Sequence, residues 1–265
     1  MAGQVEGNGE SNFILDHIVD HHELHLGSLH IPLPHIHLFG IDMSITGHLV
    51  MMWVATLFII VTLAISTRRR GLIPSGFSNA IEALVVFIRD DVAVPNLGEK
   101  EGAKYMPFFL TTFMFILACN LLGLIPFGQT ATGNINVTAA LAAISFVVMI
   151  GSGIKHNGFF GFFKGLIPPG LPILLLPLMI PLEFLGLLTK PFALCIRLFA
   201  NMLAGHVIIL SLIGLIFIMG VVAVPVSIFF ALAMYLLEIF VGFLQAYVFT
   251  LLTAVFIGLS VHQEH

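Results

Sequence analysis

The sequence predicts an all-α membrane protein with about five membrane-embedded helices, the last two long and strongly tilted, and one amphipathic helix at the membrane surface. Of the 265 residues, 58% are hydrophobic and only 9% are charged, whereas soluble domains carry about 25% charged residues. Several runs of about 20 residues carry almost no charge, which is the length that a helix needs to cross a bilayer. A membrane β-barrel would show short alternating segments instead of continuous apolar runs.

Residues 1–46 are predicted to form a polar head on the outer side of the membrane. They contain no Lys or Arg, several acidic residues and most of the histidines. No basic start followed by an apolar core is present, so we expect the first span to direct its own insertion. His17, His21 and His25 recur every four residues, a spacing at which zinc could bind two of them on one helical turn. No Cys assists them, so we expect a solvated surface and no metal site.

The first span is predicted at residues 47–66, and Arg68-Arg69-Arg70 follows it directly. A basic cluster beside a span marks the cytoplasmic side, which places the head outside. Residues 76–91 repeat apolar side chains at helical spacing, with polar side chains between them. This segment is too short and too polar to span, so we expect an amphipathic helix on the inner surface.

Two further spans are predicted at residues 105–127 and 137–154. A Gly- and Pro-rich loop that carries Lys155 and Lys164 is expected after the second of them. Two crossings separate the two basic regions, so both regions fall on the cytoplasmic side, as positively charged loops do. With the head outside and five crossings in all, the C-terminus is expected in the cytoplasm.

Residues 171–220 are almost continuously apolar and are more than twice as long as one upright span of about 20 residues. Two arrangements are open: a hairpin that turns near Pro181 and Pro191, or one long and strongly tilted helix. The same choice holds less strongly for residues 224–261. Length alone does not fix a tilt angle.

Ionisable side chains inside these apolar segments are functional candidates, because burying a charge in a membrane is costly. Asn201 and Gln245 accompany them on the last two segments. Lys190, Arg197 and Asn201 follow each other at seven and four residues, which puts them on one face of a helix. The ionisable candidates are Glu183, Lys190, Arg197, His206 and Glu238.

An antiparallel pairing of the last two helices that sets Arg197 opposite Gln245 brings His206 and Glu238 to a similar depth on the outer side. Glu183 then lies on the inner side of Arg197. Protonatable groups therefore flank a central cation on both sides. Because an arginine does not deprotonate in a protein, it blocks a proton relay instead of joining it.

Structural roles remain as alternatives for several of these residues. Asn201 could join two helices by a hydrogen bond, and His206 with Glu238 could be a structural ion pair. Glu183 could pair with Lys190, or Lys190 could extend its ammonium group toward the membrane surface. Both cysteines, at positions 119 and 195, lie in apolar runs and are expected to be packing residues.

Two other functional classes are open. A secondary transporter for a small anion would use Arg197 and Lys190 to bind its substrate, and it would be built from inverted repeats, which this sequence does not show. A structural scaffold for a membrane complex would give Arg197 no purpose.

Four sequence motifs resemble the a subunit of F-type ATP synthases, and the resemblance covers residues 45–260. The first is Pro191 to His206, PFALCIRLFANMLAGH, whose core RLFANMLAG is highly specific. The other three are FLQAYVF at residues 243–249, CNLLGLIP at residues 119–126 and NINVT at residues 134–138.

This resemblance implies that Arg197 is the essential arginine facing the carboxylate of each passing c subunit. Asn201, Gln245 and Asn120 would line the aqueous path on the outer side. His206 and Glu238 would form the outer inlet, Glu183 would lie at the inner outlet, and Lys190 would be auxiliary. Some relatives carry the acid and the imidazole in the reverse order, so the pH response of this chain is expected to differ.

The resemblance also implies the partners: a ring of c subunits, b-type peripheral stalk subunits and the remaining ATP synthase subunits, assembled in a bilayer. The expected location is the bacterial plasma membrane. No nucleotide-binding motif G-x-x-x-x-G-K-[ST] is present, so we expect ATP chemistry to belong to the partners. We expect no cofactor and no contact with nucleic acid.

Overall fold

The structure is a computed structural model. It describes the backbone of residues 23–26, 29–32, 37–38 and 41–42, and residues 46–68, 76–125, 130–165, 176–220 and 224–261. Five of its helical segments are long and apolar enough to cross a membrane, which confirms the predicted class of all-α membrane protein. The helices are α1 (Gly47–Arg68), α2 (Phe77–Phe87), α3 (Val94–Gly123), α4 (Ile135–Gly165), α5 (Leu176–Met219) and α6 (Val224–Val261).

The head contains four short strands. β1 (Glu23–Leu26) pairs antiparallel with β2 (Leu29–Pro32), and β3 (His37–Leu38) pairs antiparallel with β4 (Ile41–Asp42). His25 therefore lies opposite His30 in a strand and not on a helical turn, which removes the helical spacing considered for a zinc site. His17 and His21 lie outside the described residues.

The predicted amphipathic helix continues without a break from α2 through a π-helical turn, Ile88–Ala93, into the first turn of α3. Gly98 then adopts φ 76° and ψ 170°, a backbone conformation that glycine tolerates because it has no Cβ. The chain changes direction there and enters the second span. The helix that contains this span begins again at residue 99, six residues before the predicted start of the span at residue 105.

Helix α4 extends beyond the predicted third span. It runs to Gly165 with a kink at Gly158, where φ is 73°. Lys155 and Lys164 are therefore on a helix, and the expectation that both lie in a Gly- and Pro-rich loop is wrong. The four large aromatic residues between them form a compact apolar group, because Phe159 contacts both Phe160 and Phe163, and Phe162 contacts Phe163.

Helix α5 is one continuous helix of 44 residues that contains both Pro181 and Pro191. The hairpin alternative is therefore excluded, and prolines are tolerated here as they are in other membrane helices. At 1.5 Å per residue the helix is about 66 Å long, roughly twice the hydrocarbon thickness of a bilayer. Helix α6 is likewise continuous over 38 residues.

The chain divides into two compact units. The first comprises residues 1–60, 115–134 and 198–245, and the second comprises residues 61–114, 135–197 and 246–265. Helix α5 passes from the second unit to the first between Arg197 and Leu198. Buried side chains in the first unit include Ile116, Leu198 and Met202, and those in the second include Phe109, Phe113, Ile88, Phe249 and Ile257.

Candidate functional site

In the first unit, the structure brings His206 on α5 to Glu238 on α6. His206 Nδ1 lies 3.4 Å from Glu238 Oε1. The Glu238 side chain is only 3% exposed, and its second oxygen, Oε2, has no hydrogen-bond partner among the described residues. Gly205 makes this approach possible, because a Cβ at that position would lie 2.5 Å from Glu238 Oε1. A buried carboxyl in this setting needs a proton or a cationic imidazole beside it.

A second polar pair joins the same two helices. Asn201 donates a hydrogen bond from Nδ2 to Gln245 Oε1 at 3.0 Å. Gln245 is buried, whereas Asn201 is exposed on the surface of the chain. Two contacts between α5 and α6, at Asn201–Gln245 and at His206–Glu238, fix their antiparallel register within this unit.

Asn120, on α3, is fully buried and both ends of its amide are bound. Nδ2 donates to the carbonyl oxygen of Gly242 at 3.0 Å, and Oδ1 accepts from Thr132 Oγ1 at 2.7 Å. Thr132 lies in a 3-10 turn, Ala131–Gly133, in the loop after α3. The amide thus ties that loop to α6, and Gly242 leaves room because a Cβ there would come within 3.3 Å of Asn120 Cβ.

Thr130, in the same loop, lies beside the imidazole of His206. Its Oγ1 is 3.1 Å from His206 Nε2 and 3.5 Å from Nδ1. Tyr235, one turn before Glu238 on α6, donates a hydrogen bond to the carbonyl oxygen of Leu124. A row of hydroxyl, imidazole and carboxyl groups therefore runs from the loop to α6.

Arg197 is the last residue of α5 that belongs to the second unit. Its side chain is exposed, and none of the hydrogen bonds or ion pairs of the described residues involves its guanidinium. The neighbouring side chains Phe192 and Ile196 are also exposed, at 67% and 36%. The surface of α5 around Arg197 is therefore apolar, and its guanidinium has no ion-pair partner in the part of the chain that the structure describes.

Glu183 and Lys190, on the same helix, are both half-buried. Lys190 Nζ lies 5.2 Å from the centroid of the Phe256 ring, within the range of a cation–π contact. The ion pairs of the described residues do not include one between Glu183 and Lys190. The next residue, Pro191, lines a small cleft together with Ser145, Thr253 and apolar side chains.

Sequence reasoning did not single out Thr130, Thr132 or the carbonyl of Gly242. All three act through contacts with residues that are distant in sequence, and a threonine in a turn-rich loop carries no signal of its own. In the part of the chain that the structure describes, no group of three or more His, Cys, Asp or Glu side chains could hold a metal ion.

Long apolar helices that enclose carboxyl, imidazole and amide groups define a multi-pass membrane protein with a polar interior, as ion-conducting proteins have. The family model described as ATP synthase A chain matches residues 49–258, so the chain belongs to the ATP synthase A chain family.

Similar proteins cover most of the sequence. A protein from Chloroherpeton thalassium named ATP synthase subunit a is 48% identical over 95% of this chain and 77% of its own length. A subunit a from Myxococcus xanthus is 52% identical over 85% of this chain and 75% of its own length. One from Chlorobium phaeobacteroides strain BS1 is 49% identical over 100% of this chain and 80% of its own length.

Membership of this family makes the chain a multi-pass protein of the bacterial inner membrane that takes part in ion transport for ATP synthesis. It also implies a complex with other ATP synthase subunits.

Proposed function

We propose that this chain carries protons through two offset half-channels, to and from the carboxylate of a ring of c subunits, with Arg197 between the half-channels. The observation that carries the proposal is the state of Arg197. The guanidinium is exposed on an apolar stretch of α5 and pairs with no carboxylate among the described residues. A permanently charged group in that position is costly in a membrane unless an acid from another chain faces it.

The outer half-channel uses His206 and Glu238 as its inlet, with Asn201, Gln245 and Asn120 along the path. The 3.4 Å distance between Nδ1 and Oε1 supports this role, because a small movement of either side chain brings the imidazole and the carboxyl into hydrogen-bond range, where they can share a proton. A proton that enters here neutralises a c-ring carboxylate, which then turns into lipid.

The inner half-channel releases the proton past Glu183, with Lys190 as an auxiliary group. Proximity to Arg197 favours the ionised form of the returning carboxylate, because an opposite charge stabilises it. Arg197 also prevents direct leakage between the half-channels, since it does not deprotonate. The driving free energy is about 2.3 kcal/mol per charge for each 100 mV of membrane potential.

The partners in this proposal are the c ring, against the exposed side of α5 around Arg197, and the b-type peripheral stalk subunits with the remaining ATP synthase subunits. ATP chemistry belongs to those partners. The head lies outside and the C-terminus lies in the cytoplasm.

The decisive experiment is Arg197→Ala in inverted membrane vesicles that carry the assembled complex. ATP-driven proton uptake, measured with a pH-sensitive dye, is expected to vanish while the subunit remains in the complex. Arg89→Ala is the matched control, because Arg89 is exposed and, among the described residues, pairs with the neighbouring Asp90; its uptake should equal that of the wild type. Normal uptake by Arg197→Ala would overturn the proposal, and substrate-dependent anion transport would favour a secondary transporter.

A further inference from the structure

The loop that follows α3 brings a hydroxyl group to the imidazole of His206. Thr130 Oγ1 lies 3.1 Å from Nε2 and 3.5 Å from Nδ1 of that ring, so it is closer to Nε2. Glu238 Oε1 lies 3.4 Å from Nδ1. The imidazole is therefore held between a hydroxyl and a carboxyl group, and the hydroxyl makes the shorter contact.

We infer that Thr130 is a positioning residue for the outer proton path, and that its hydroxyl holds the His206 ring with Nδ1 toward Glu238. The inference rests on the proposed function, because it adds Thr130 to the same path.

The position of Thr130 is itself tightly fixed. The residue is 6% exposed, and its hydroxyl donates to the carbonyl oxygen of Gly123 at 3.3 Å. A Cβ at Gly123 would lie 2.7 Å from both Oγ1 and Cγ2 of Thr130, so the glycine allows the close approach. A hydroxyl group carries one donor hydrogen and two acceptor lone pairs, so Thr130 keeps a lone pair for an N–H of the imidazole while its own proton can turn toward Gly123.

The carboxyl group alone holds the ring weakly. A distance of 3.4 Å is beyond the usual range of about 2.7–3.2 Å for a hydrogen bond from a nitrogen. The χ2 torsion of a histidine is broad, and the side chain of His206 is 28% exposed. The ring is therefore free to turn away from Glu238 unless a second contact restrains it, and Thr130 supplies that contact.

The charged environment of His206 is simple in the described part of the chain. Glu238 on α6 is the carboxylate in contact with it, and the nearby Tyr235 directs its hydroxyl to the carbonyl oxygen of Leu124. An acceptor on a ring N–H stabilises the imidazolium more than the neutral ring. Loss of the Thr130 hydroxyl should therefore move the pH midpoint of proton entry to lower pH.

The test measures ATP synthesis in inverted vesicles that carry the whole complex, driven at a fixed membrane potential while the lumenal pH is varied. The lumen corresponds to the outer side. Thr130→Val keeps the shape of the side chain and removes the hydroxyl. For Thr130→Val we expect a rate of ATP synthesis about fivefold lower, because one net hydrogen bond contributes about 1 kcal/mol. The same free energy corresponds to a pH midpoint lower by about 0.7 units.

Thr130→Ser retains the hydroxyl and should keep the wild-type rate and midpoint. Thr56→Val is the matched control, because Thr56 is exposed on α1 and its hydroxyl bonds within its own helix to Met52. A wild-type profile for Thr130→Val, a midpoint shifted to higher pH, or an equal defect in Thr130→Ser overturns the inference.

If Thr130→Val does not assemble, Thr130→Ala takes its place. Its rate of ATP synthesis and its pH midpoint are then compared with those of Thr130→Ser, with the same expected results. If both hydroxyl-free variants fail to assemble while Thr130→Ser assembles, Thr130 is a folding residue and the positioning role is wrong. The outcome is separable from that of Arg197→Ala. A wild-type profile in Thr130→Val beside an inactive Arg197→Ala removes only this inference, whereas active Arg197→Ala removes the function itself.

Discussion

Glu238 is the residue at which packing and chemistry are most closely linked. Its carboxyl group is buried, one oxygen contacts His206, and the other has no partner among the described residues. An unpaired buried charge costs several kcal/mol, so such a group either holds a proton or pairs with a cation. Glu238 with His206 can exchange these two states by moving one proton between them, which is what a proton inlet requires.

Gly205→Ala should disturb this pair without removing either partner. The new Cβ would lie 2.5 Å from Glu238 Oε1 and 2.7 Å from its Cδ, so the carboxyl must shift and its contact with His206 must change. Because a displacement of about 1 Å between reacting groups can slow a transfer step by up to about a hundredfold, we expect ATP-driven proton uptake to fall by about tenfold or more.

Gly214→Ala is the control on the same helix, because no atom of a described residue outside the local helix backbone lies within 4 Å of a Cβ at that position. Replacing a helical glycine by alanine there should be neutral or stabilise the helix by about 1 kcal/mol. Equal uptake by the two variants would mean that the carboxyl has room to move, and that the fit between Gly205 and Glu238 has no bearing on transport.

At the scale of helices, much of the fold follows from the sequence because hydropathy and length determine which segments cross a bilayer. The choice between a hairpin and one helix for α5 did not follow, since Pro181 and Pro191 are compatible with both. The extension of α4 past Lys155 was also missed, because Gly158 and the aromatic residues after it read as a loop. Of these aromatic residues Phe162 is buried, and that contact with the rest of the unit is not visible in the sequence.

The candidate site was also predicted only in part from the sequence. Residues on α5 and α6 were found because an ionisable side chain in an apolar run stands out, and helical spacing with an antiparallel pairing brings His206 near Glu238. Thr130 and Thr132 were missed, because a hydroxyl in a polar loop is ordinary by sequence. Their contacts with His206 and Asn120 depend on how the loop folds back onto the helices.

Helix α4 gives a matched pair of glycine substitutions. A Cβ at Gly153 would lie 2.5 Å from the Phe162 ring and 3.2 Å from Ser260 Cβ, whereas nothing lies within 4 Å of a Cβ at Gly151. Gly153 therefore lets the segment after the Gly158 kink pack back against its own helix and against the end of α6.

Gly153→Ala should destabilise the subunit by about 1–3 kcal/mol, the usual cost of overpacking a core, and Gly151→Ala should not. The measurement is the amount of subunit retained in the purified complex as the detergent solution is heated. If both variants are retained to the same temperature, Phe162 adjusts without cost and the packing at Gly153 is loose.

On the scale of the whole molecule, charge is distributed unevenly along the chain. Eight of the ten Lys and Arg residues lie between the first and second spans or at Lys155 and Lys164, while the head before Gly47 has none. Basic residues remain on the cytoplasmic side during insertion. Because the two basic regions are separated by two crossings, one orientation satisfies both.

Cysteine labelling tests that orientation. In a background where Cys119 and Cys195, both buried, are replaced by serine, Lys164→Cys adds one exposed thiol near the end of α4. Met219→Cys adds one exposed thiol at the end of α5. A membrane-impermeant maleimide should label Lys164→Cys in inverted vesicles only and Met219→Cys in right-side-out vesicles only, because the proposed topology has α5 begin on the cytoplasmic side and end outside. The opposite pattern would invert the whole topology. Labelling of both positions from one side would mean that α5 does not cross the bilayer, in which case no path along it could connect the two sides.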